Sequence, residues 1–237
     1  MKNVIIVGAN GATGSQLMQR LIDDVGISHI YTVHYRPTQF KSQPKVTEII
    51  MDLADFSTLN IAELLASRIE NRIDNKVDNR IDCAYCCLGT TRKKAGSVAA
   101  FRRVDKDYII NFARWVAAND IPQLHVISAV GANPNSASSY LQTKGETEQA
   151  LKQLNIPSLY LYQPTLLHGK RDEFRLMEAL AYYPLNFLAA IPLPLFKQQK
   201  PIAITQLAKA LYLQSKLQSK QPNAGINITS SRDIQRY

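Results

Sequence analysis

Along this 237-residue chain the spacing of apolar and polar positions changes repeatedly, and each change predicts an element. Val4-Ile5-Ile6-Val7 is an unbroken apolar run, the pattern of a strand buried on both faces. It gives way to glycines at every third position, Gly8, Gly11 and Gly14, and then to the helical pattern of Ser15 to Ile22. His29 to Arg36 alternates, is rich in β-formers and stops at Pro37, which predicts a second strand. Val46 to Met51 predicts a third and Ile81 to Leu88 a fourth, the latter ending at Gly89-Thr90-Thr91. Leu124 to Ser128 and Ser158 to Tyr162 predict the fifth and sixth. Helices are expected from near Phe56-Ser57, from about Phe101 through Asp105, Tyr108 and Phe112 to Ala118, over Tyr140 to Glu148, and over Ile204 to Gln218. Ile226 to Ile228 reads as a short closing strand. Strands alternating with helices predict an α/β fold, a Rossmann-type doubly wound and mainly parallel sheet. A single domain over residues 1–237 is expected, with residues from about 165 to 237 as a small C-terminal, substrate-side elaboration.

Two stretches depart from this rhythm. Arg68-Ile69-Glu70-Asn71 is followed by three similar tetrapeptides that run to Cys83. Ile69, Ile73, Val77 and Ile81 would form a slowly drifting apolar stripe on a helix, but the Asn and Asp residues are poor helix formers. A surface elaboration of the third helix or its following loop is expected. Leu185 to Phe196 is apolar and broken by prolines, as a core segment or pocket wall would be; a dimer interface or a membrane surface are the other readings.

Composition narrows the class. Apolar residues make up 46% of the chain and charged residues 20%, as in an ordinary soluble protein. Met1-Lys2-Asn3 runs straight into the first strand without a signal peptide, and no apolar run approaches the roughly 20 residues of a membrane span, so no transmembrane segment is expected. Cys83, Cys86 and Cys87 share one strand and read as buried, reduced thiols of a cytoplasmic protein, with no metal site. The net charge is +9, from 28 Lys and Arg against 19 Asp and Glu, but the cations are scattered. That distribution suits a phosphorylated cofactor better than nucleic acid as a primary partner. Monomer and homodimer both remain open.

The glycine turn carries the first chemistry. Gly8 allows a sharp turn, Gly11 a close approach to a pyrophosphate and Gly14 tight packing of the helix. Asn10, Ala12 and Thr13 complete a turn whose N–H groups, at the positive end of the helix, are expected to hold phosphate. Arg36 ends the second strand, Lys41 follows, and no acid precedes Glu48, so a 2′-phosphate is expected there and NADP(H) is preferred over NAD(H). Asp52, followed by Leu53, is placed to face an adenine or to cap the helix beginning near Phe56. Leu88, Gly89 and Thr90 should line the same cleft, with Arg92, Lys93 and Lys94 on its rim.

The second constellation is Ser128 with Tyr140 and Lys144. On a helix Tyr140 and Lys144 stand one turn apart on one face. Reducing a carbonyl with hydride needs a proton at the oxygen, and a nearby ammonium makes a phenol a better acid. Lys144 is also expected to hold the nicotinamide ribose, and Ser128 to donate a hydrogen bond to the carbonyl oxygen. His168 lies in a loop over the same end of the cleft and reads more readily as structural or solvated than as a ligand contact.

Gly8-x-x-Gly11-x-x-Gly14, Ser128 and Tyr140-x-x-x-Lys144, in this order, resemble the atypical or extended short-chain dehydrogenase/reductases over almost the whole chain. Cys87 to Gly96, Val104 to Tyr108, Tyr140 to Glu146 and Leu167 to Arg175 are similar, more narrowly, to the Tat-interacting-protein-like oxidoreductases. The resemblance implies a Rossmann fold, NADP(H) as cofactor and catalytic roles for Ser128, Tyr140 and Lys144. One departure is Gln163-Pro164, where that family commonly has Arg-Pro. The expected function is an NADP(H)-dependent oxidoreductase acting on a small carbonyl or alcohol. The alternatives are an NADP(H)-binding sensor that regulates a protein partner without turnover, and nucleotide-sugar-type epimerase or dehydratase chemistry.

Overall fold

The computed structural model describes residues 1–66, 80–169, 200–217 and 224–237. In chain order these form β1 (Lys2–Val7), α1 (Ala12–Asp23), β2 (Ile27–His34), β3 (Val46–Ile50), a 3₁₀ turn (Phe56–Thr58) and α2 (Ile61–Ala66). Next come β4 (Cys83–Cys86), α3 (Arg92–Ala95), α4 (Val98–Arg102), a π turn (Arg103–Asp107), α5 (Tyr108–Ala118), β5 (Gln123–Ile127) and α6 (Ser139–Lys152). β6 (Ser158–Gln163), β7 (Leu167–His168), β8 (Ile202–Ala203), α7 (Ile204–Leu217), β9 (Gly225–Ser230) and α8 (Ser231–Ile234) are the remaining elements among the described residues.

The main sheet has the order β3-β2-β1-β4-β5-β6-β9, and every adjacent pair is parallel. Strand order reverses between β1 and β4, the position where doubly wound sheets open a cleft beyond their carboxyl ends. Both faces are covered, which is why the central strands read as continuous apolar runs. Ile5, Val7, Cys86, Val126 and Leu161 pack on one face with Phe112, Trp115 and Val116 of α5. The alternate residues Val4, Ile6, Cys83, Tyr85 and Tyr160 pack on the other with Leu17, Met18 and Leu21 of α1 and Leu207 and Leu211 of α7. All three cysteines are buried free thiols. Burial pushes Cys83 and Cys86 up to about 12, so neither is a thiolate near neutrality.

Two expectations are refined. The long helix from Phe101 to Ala118 is interrupted by the π turn at Arg103–Asp107, which inserts a residue into the helical ladder. The side chain that caps the 3₁₀ turn is Asp55, which accepts the Ser57 N–H; Asp52 instead accepts the N–H of Ala54. Residues 68–79 of the repeat and the whole of 185–196 lie outside the described residues. Among the described residues, no helix is long and apolar enough to cross a membrane.

A polar ladder runs through the α1 and α7 side of the sheet. Tyr85, His125 and Tyr160 are register partners on β4, β5 and β6. The His125 ring stacks 4.4 Å from that of Tyr160 and its Nδ1 lies 2.9 Å from the Tyr162 hydroxyl. Burial, with Lys2 adding to it, pushes this histidine down to about 3, so it is neutral.

Candidate functional site

Between β1 and α1 the chain turns as its glycines require. Gly8 has φ +82°, and a Cβ there would stand 2.5 Å from the carbonyl carbon of Cys87, just past β4. A Cβ on Gly14 would stand 2.1 Å from the Gly8 carbonyl oxygen, so helix and turn touch backbone to backbone. Thr13 and Gly14 are buried, whereas Asn10, Gly11 and Ala12 are exposed at the mouth. Gly11 is the N-cap of α1 and has no side chain to engage the first helical N–H groups. An exposed N-terminus of a 12-residue helix, without a capping side chain, fits a dinucleotide pyrophosphate.

The neighbouring strand ends build the rest of the rim. β2 stops at His34, where its pairing with β3 runs out at Ile50, so Arg36 lies in the loop beyond. Its guanidinium stands 5.2 Å from the centre of the Tyr35 ring. The same loop is gripped by an acid that is distant in sequence: Glu48 on β3 accepts the N–H of Thr38 at 2.9 Å, and the Thr38 hydroxyl as well. Leu53 is buried in the core and Asp52 is exposed, so only the latter offers a side chain to a ligand. Leu88, Gly89 and Thr90 follow β4, directly beside the glycine turn, because the Cys87 N–H bonds the Val7 carbonyl at 2.9 Å.

Tyr140 and Lys144 both lie on α6, one turn apart. The Tyr140 ring is 5.9 Å from that of Phe101 on α4. The Lys144 ammonium bonds Asp105 Oδ1 at 2.8 Å, with the side chains 5% and 2% exposed. The other oxygen, Asp105 Oδ2, accepts the Thr90 N–H at 2.8 Å, and the Asp105 carbonyl accepts the Thr147 hydroxyl. Burial pushes the lysine's pKa down, but Asp105 first and Tyr140 next outweigh it, so Lys144 is held above its ordinary value and stays charged. Glu146, on the neighbouring face of α6, is shared by Arg102 and Lys106 and ties the helix to α4 and the π turn.

Ser128 follows β5 at the same edge, and its hydroxyl donates to Glu148 Oε1 at 2.6 Å. Glu148 lies eight residues beyond Tyr140, about 12 Å along the helix axis. It also accepts from Gln163 Nε2 at 2.8 Å and, at 3.2 Å, from Lys152. The expected bond from Ser128 to a substrate oxygen thus has a competing carboxylate acceptor. Gln163, the departure noted in the sequence, completes this cluster as a neutral donor. His168 is exposed on β7, which pairs with β8.

Asp105 and Glu148 are the residues that sequence reasoning left without a role. Asp105 carried a signal, because a carboxylate at i+4 from Phe101 falls on the apolar stripe of its helix and needs a buried partner. Its partner is 39 residues away, where helical spacing gives no guidance. Glu148 resembled any other charge on a polar helix face.

Glycine turn, strand order and α6 together define a Rossmann-type protein built like the NAD-binding epimerases. MoeE5 in complex with UDP-glucose and NAD has TM-score 0.63 and 15% identity, covering 96% of this chain and 75% of that one. UDP-glucuronic acid 4-epimerase from Bacillus cereus in complex with NAD has TM-score 0.62 and 13% identity, covering 96% and 77%. At such identities the likeness shows the fold. Among curated proteins, Protein HTATIP2 of Rattus norvegicus is 31% identical over 191 residues, 81% of this chain and 72% of the relative. Protein FMP52, mitochondrial, of Lodderomyces elongisporus is 32% identical over 175 residues, covering 72% and 69%. The chain belongs to this HTATIP2 and FMP52 family. No protein-family profile matches it. These relatives also correct the cytoplasmic assignment, since the FMP52 proteins are named mitochondrial. Reduced, buried thiols and an ordinary soluble composition follow from packing and carry no mark of the compartment.

Proposed function

We propose that this protein is an NADP(H)-dependent oxidoreductase that interconverts a small carbonyl and its alcohol. The observation that carries the reading is Lys144, a buried ammonium one turn from Tyr140, anchored through Asp105 to the Thr90 turn beside the glycine turn. The dinucleotide would lie across Gly8, Asn10, Gly11, Ala12, Thr13 and Gly14, with Leu88, Gly89 and Thr90 along its side and Asp52 at the adenine end. When bound it supplies or takes up the hydride. In the reducing direction Tyr140 would give its phenolic proton to the carbonyl oxygen. Tyr140 then recovers a proton from solvent, while Lys144 orients the ribose. Ser128 serves the substrate oxygen only insofar as Glu148 releases its hydroxyl proton.

Arg36, exposed beyond β2, supports the choice of NADP(H). Calorimetric titration with NADPH and NADH tests it: tighter NADPH binding is expected, with Arg36→Ala narrowing the gap, and equal affinities in the parent protein would end the claim. Turnover is tested by following NADPH absorbance over a panel of aldehydes and ketones. Tyr140→Phe is expected to abolish turnover while leaving NADPH affinity within a few-fold. Binding without turnover across the whole panel would instead favour the sensor reading.

A second reading is nucleotide-sugar epimerase or dehydratase chemistry with NAD retained. The structural neighbours bound to NAD and UDP-sugars favour it, as does Glu48, whose carboxylate sits against the loop that would face the adenosine ribose. Its mark would be NAD that copurifies and is neither consumed nor released in turnover.

A further inference from the structure

Residues 35–45 join two adjacent parallel strands, β2 and β3, without a helix. Parallel neighbours are usually joined through a helix that packs on the sheet, so this connection needs other anchors. At its start the His34 carbonyl accepts the Met51 N–H at 2.8 Å. At its end the Lys45 ammonium donates to the carbonyls of Ile22 and Asp24, at 3.0 and 2.9 Å. In between, Phe40 is buried in the core on the α1 side, and its N–H bonds the Thr38 hydroxyl at 3.0 Å. That hydroxyl donates to Glu48 Oε1, which also accepts the Thr38 N–H at 2.9 Å. Glu48 is the register partner of Thr32, before β2 ends at His34, so the chain folds back along the strand to reach it.

Between His34 and Thr38 this leaves an exposed arch, Tyr35-Arg36-Pro37. Proline fixes its own φ and keeps the residue before it extended, so the Arg36 backbone has little freedom. We propose that Glu48 is a positioning residue for cofactor selectivity: by fixing Thr38 it holds the arch so that Arg36 is presented already ordered to a 2′-phosphate. The proposal rests on the reading above that Arg36 receives that phosphate. An ordered cation loses less entropy on binding than one on a free loop, and the advantage falls on NADPH alone, because NADH lacks the group. What Glu48 supplies in this role is an acceptor oxygen rather than a charge. Glutamine at position 48 keeps a carbonyl oxygen with two lone pairs, enough for the Thr38 N–H and hydroxyl, whereas alanine offers none.

The test compares Glu48→Ala and Glu48→Gln with the parent by two measurements on the whole chain. Amide hydrogen exchange over residues 35–40, read by mass spectrometry without nucleotide, is expected to speed up in Glu48→Ala and to stay as in the parent in Glu48→Gln. Calorimetry is expected to show NADPH binding about tenfold weaker in Glu48→Ala, NADH binding within about twofold, and Glu48→Gln close to the parent for both. In an Arg36→Ala background Glu48→Ala is expected to add nothing, since its effect runs through the arginine. Unchanged exchange in Glu48→Ala would overturn the anchoring, and equal losses for both nucleotides would overturn the selectivity. If Glu48→Gln instead binds NADH more weakly and NADPH more tightly, Glu48 is a ribose ligand and the positioning role falls. A parent that binds no NADPH defeats the Arg36 reading and the selectivity with it, while hydrogen exchange still decides the anchoring. Should Glu48→Ala not fold, Thr38→Val removes the hydroxyl alone and is expected to move both measurements the same way by less. No movement in either would count against the proposal.

Discussion

Lys144 and Glu148 lie one turn apart on the buried face of α6, and the protein satisfies the two charges differently. Among the described residues Lys144 meets a single opposite charge, Asp105, almost wholly shielded from water. Glu148 is held by two neutral donors, Ser128 and Gln163, and by Lys152, whose side chain is 35% exposed. The first arrangement concentrates its dependence in one partner, while the second spreads it over three, one of them in contact with solvent. His125 shows a third solution, in which a buried titratable ring stays neutral between the tilted ring of Tyr85 and the stacked ring of Tyr160.

Cutting each arrangement separately tests the contrast. Lys144→Met strands the Asp105 carboxylate with the Thr90 N–H and should have the largest effect, about 3–5 kcal/mol of unfolding free energy by denaturant titration. A loss under about 1 kcal/mol would show that the pair is not what holds this end of α6. His125 comes next and appears only in acid. Its folded form stays neutral down to about pH 3, whereas an unfolded histidine protonates near pH 6.5. Between those values the unfolded state binds the extra proton, so this contribution is complete above pH 6.5 and is lost as pH falls toward 3. Urea unfolding at pH 7 and pH 4.5 should therefore show a larger loss in the parent than in His125→Gln, and parallel losses would remove His125 from the account. Glu148→Gln should cost least, about 1 kcal/mol, because charge-assisted bonds become neutral ones without stranding a buried charge. For a chain of this size that is a fall in Tm of roughly 2–4 °C. If Glu148→Gln costs as much as Lys144→Met, the two charges do not differ as described.

Much of the architecture was legible because it is written in local periodicity. Continuous apolar runs marked the doubly covered strands, and the glycines at 8, 11 and 14 marked the turn of the first βα unit. Boundaries were less legible, since β2 ends two residues before Arg36 where its neighbour β3 ends, a fact of strand pairing rather than of composition. The π turn was not legible, because helix continuity around Asp105 depends on a partner from α6. Asp52 was a plausible cap by residue type, but Asp55 stands where the Ser57 N–H points.

The sequence alone determined the order of the main-sheet strands along the chain, the glycine turn and the placing of Tyr140 and Lys144 one turn apart on one helix. Each of these depends on residues a few positions apart, where backbone geometry sets the distances. Only the tertiary structure decided the partners: Asp105 for Lys144, Glu148 for Ser128, and Glu48 for the loop after β2. A buried polar atom is satisfied by whichever complementary group the packing brings within about 3 Å, and the chain spacing of that group is unconstrained.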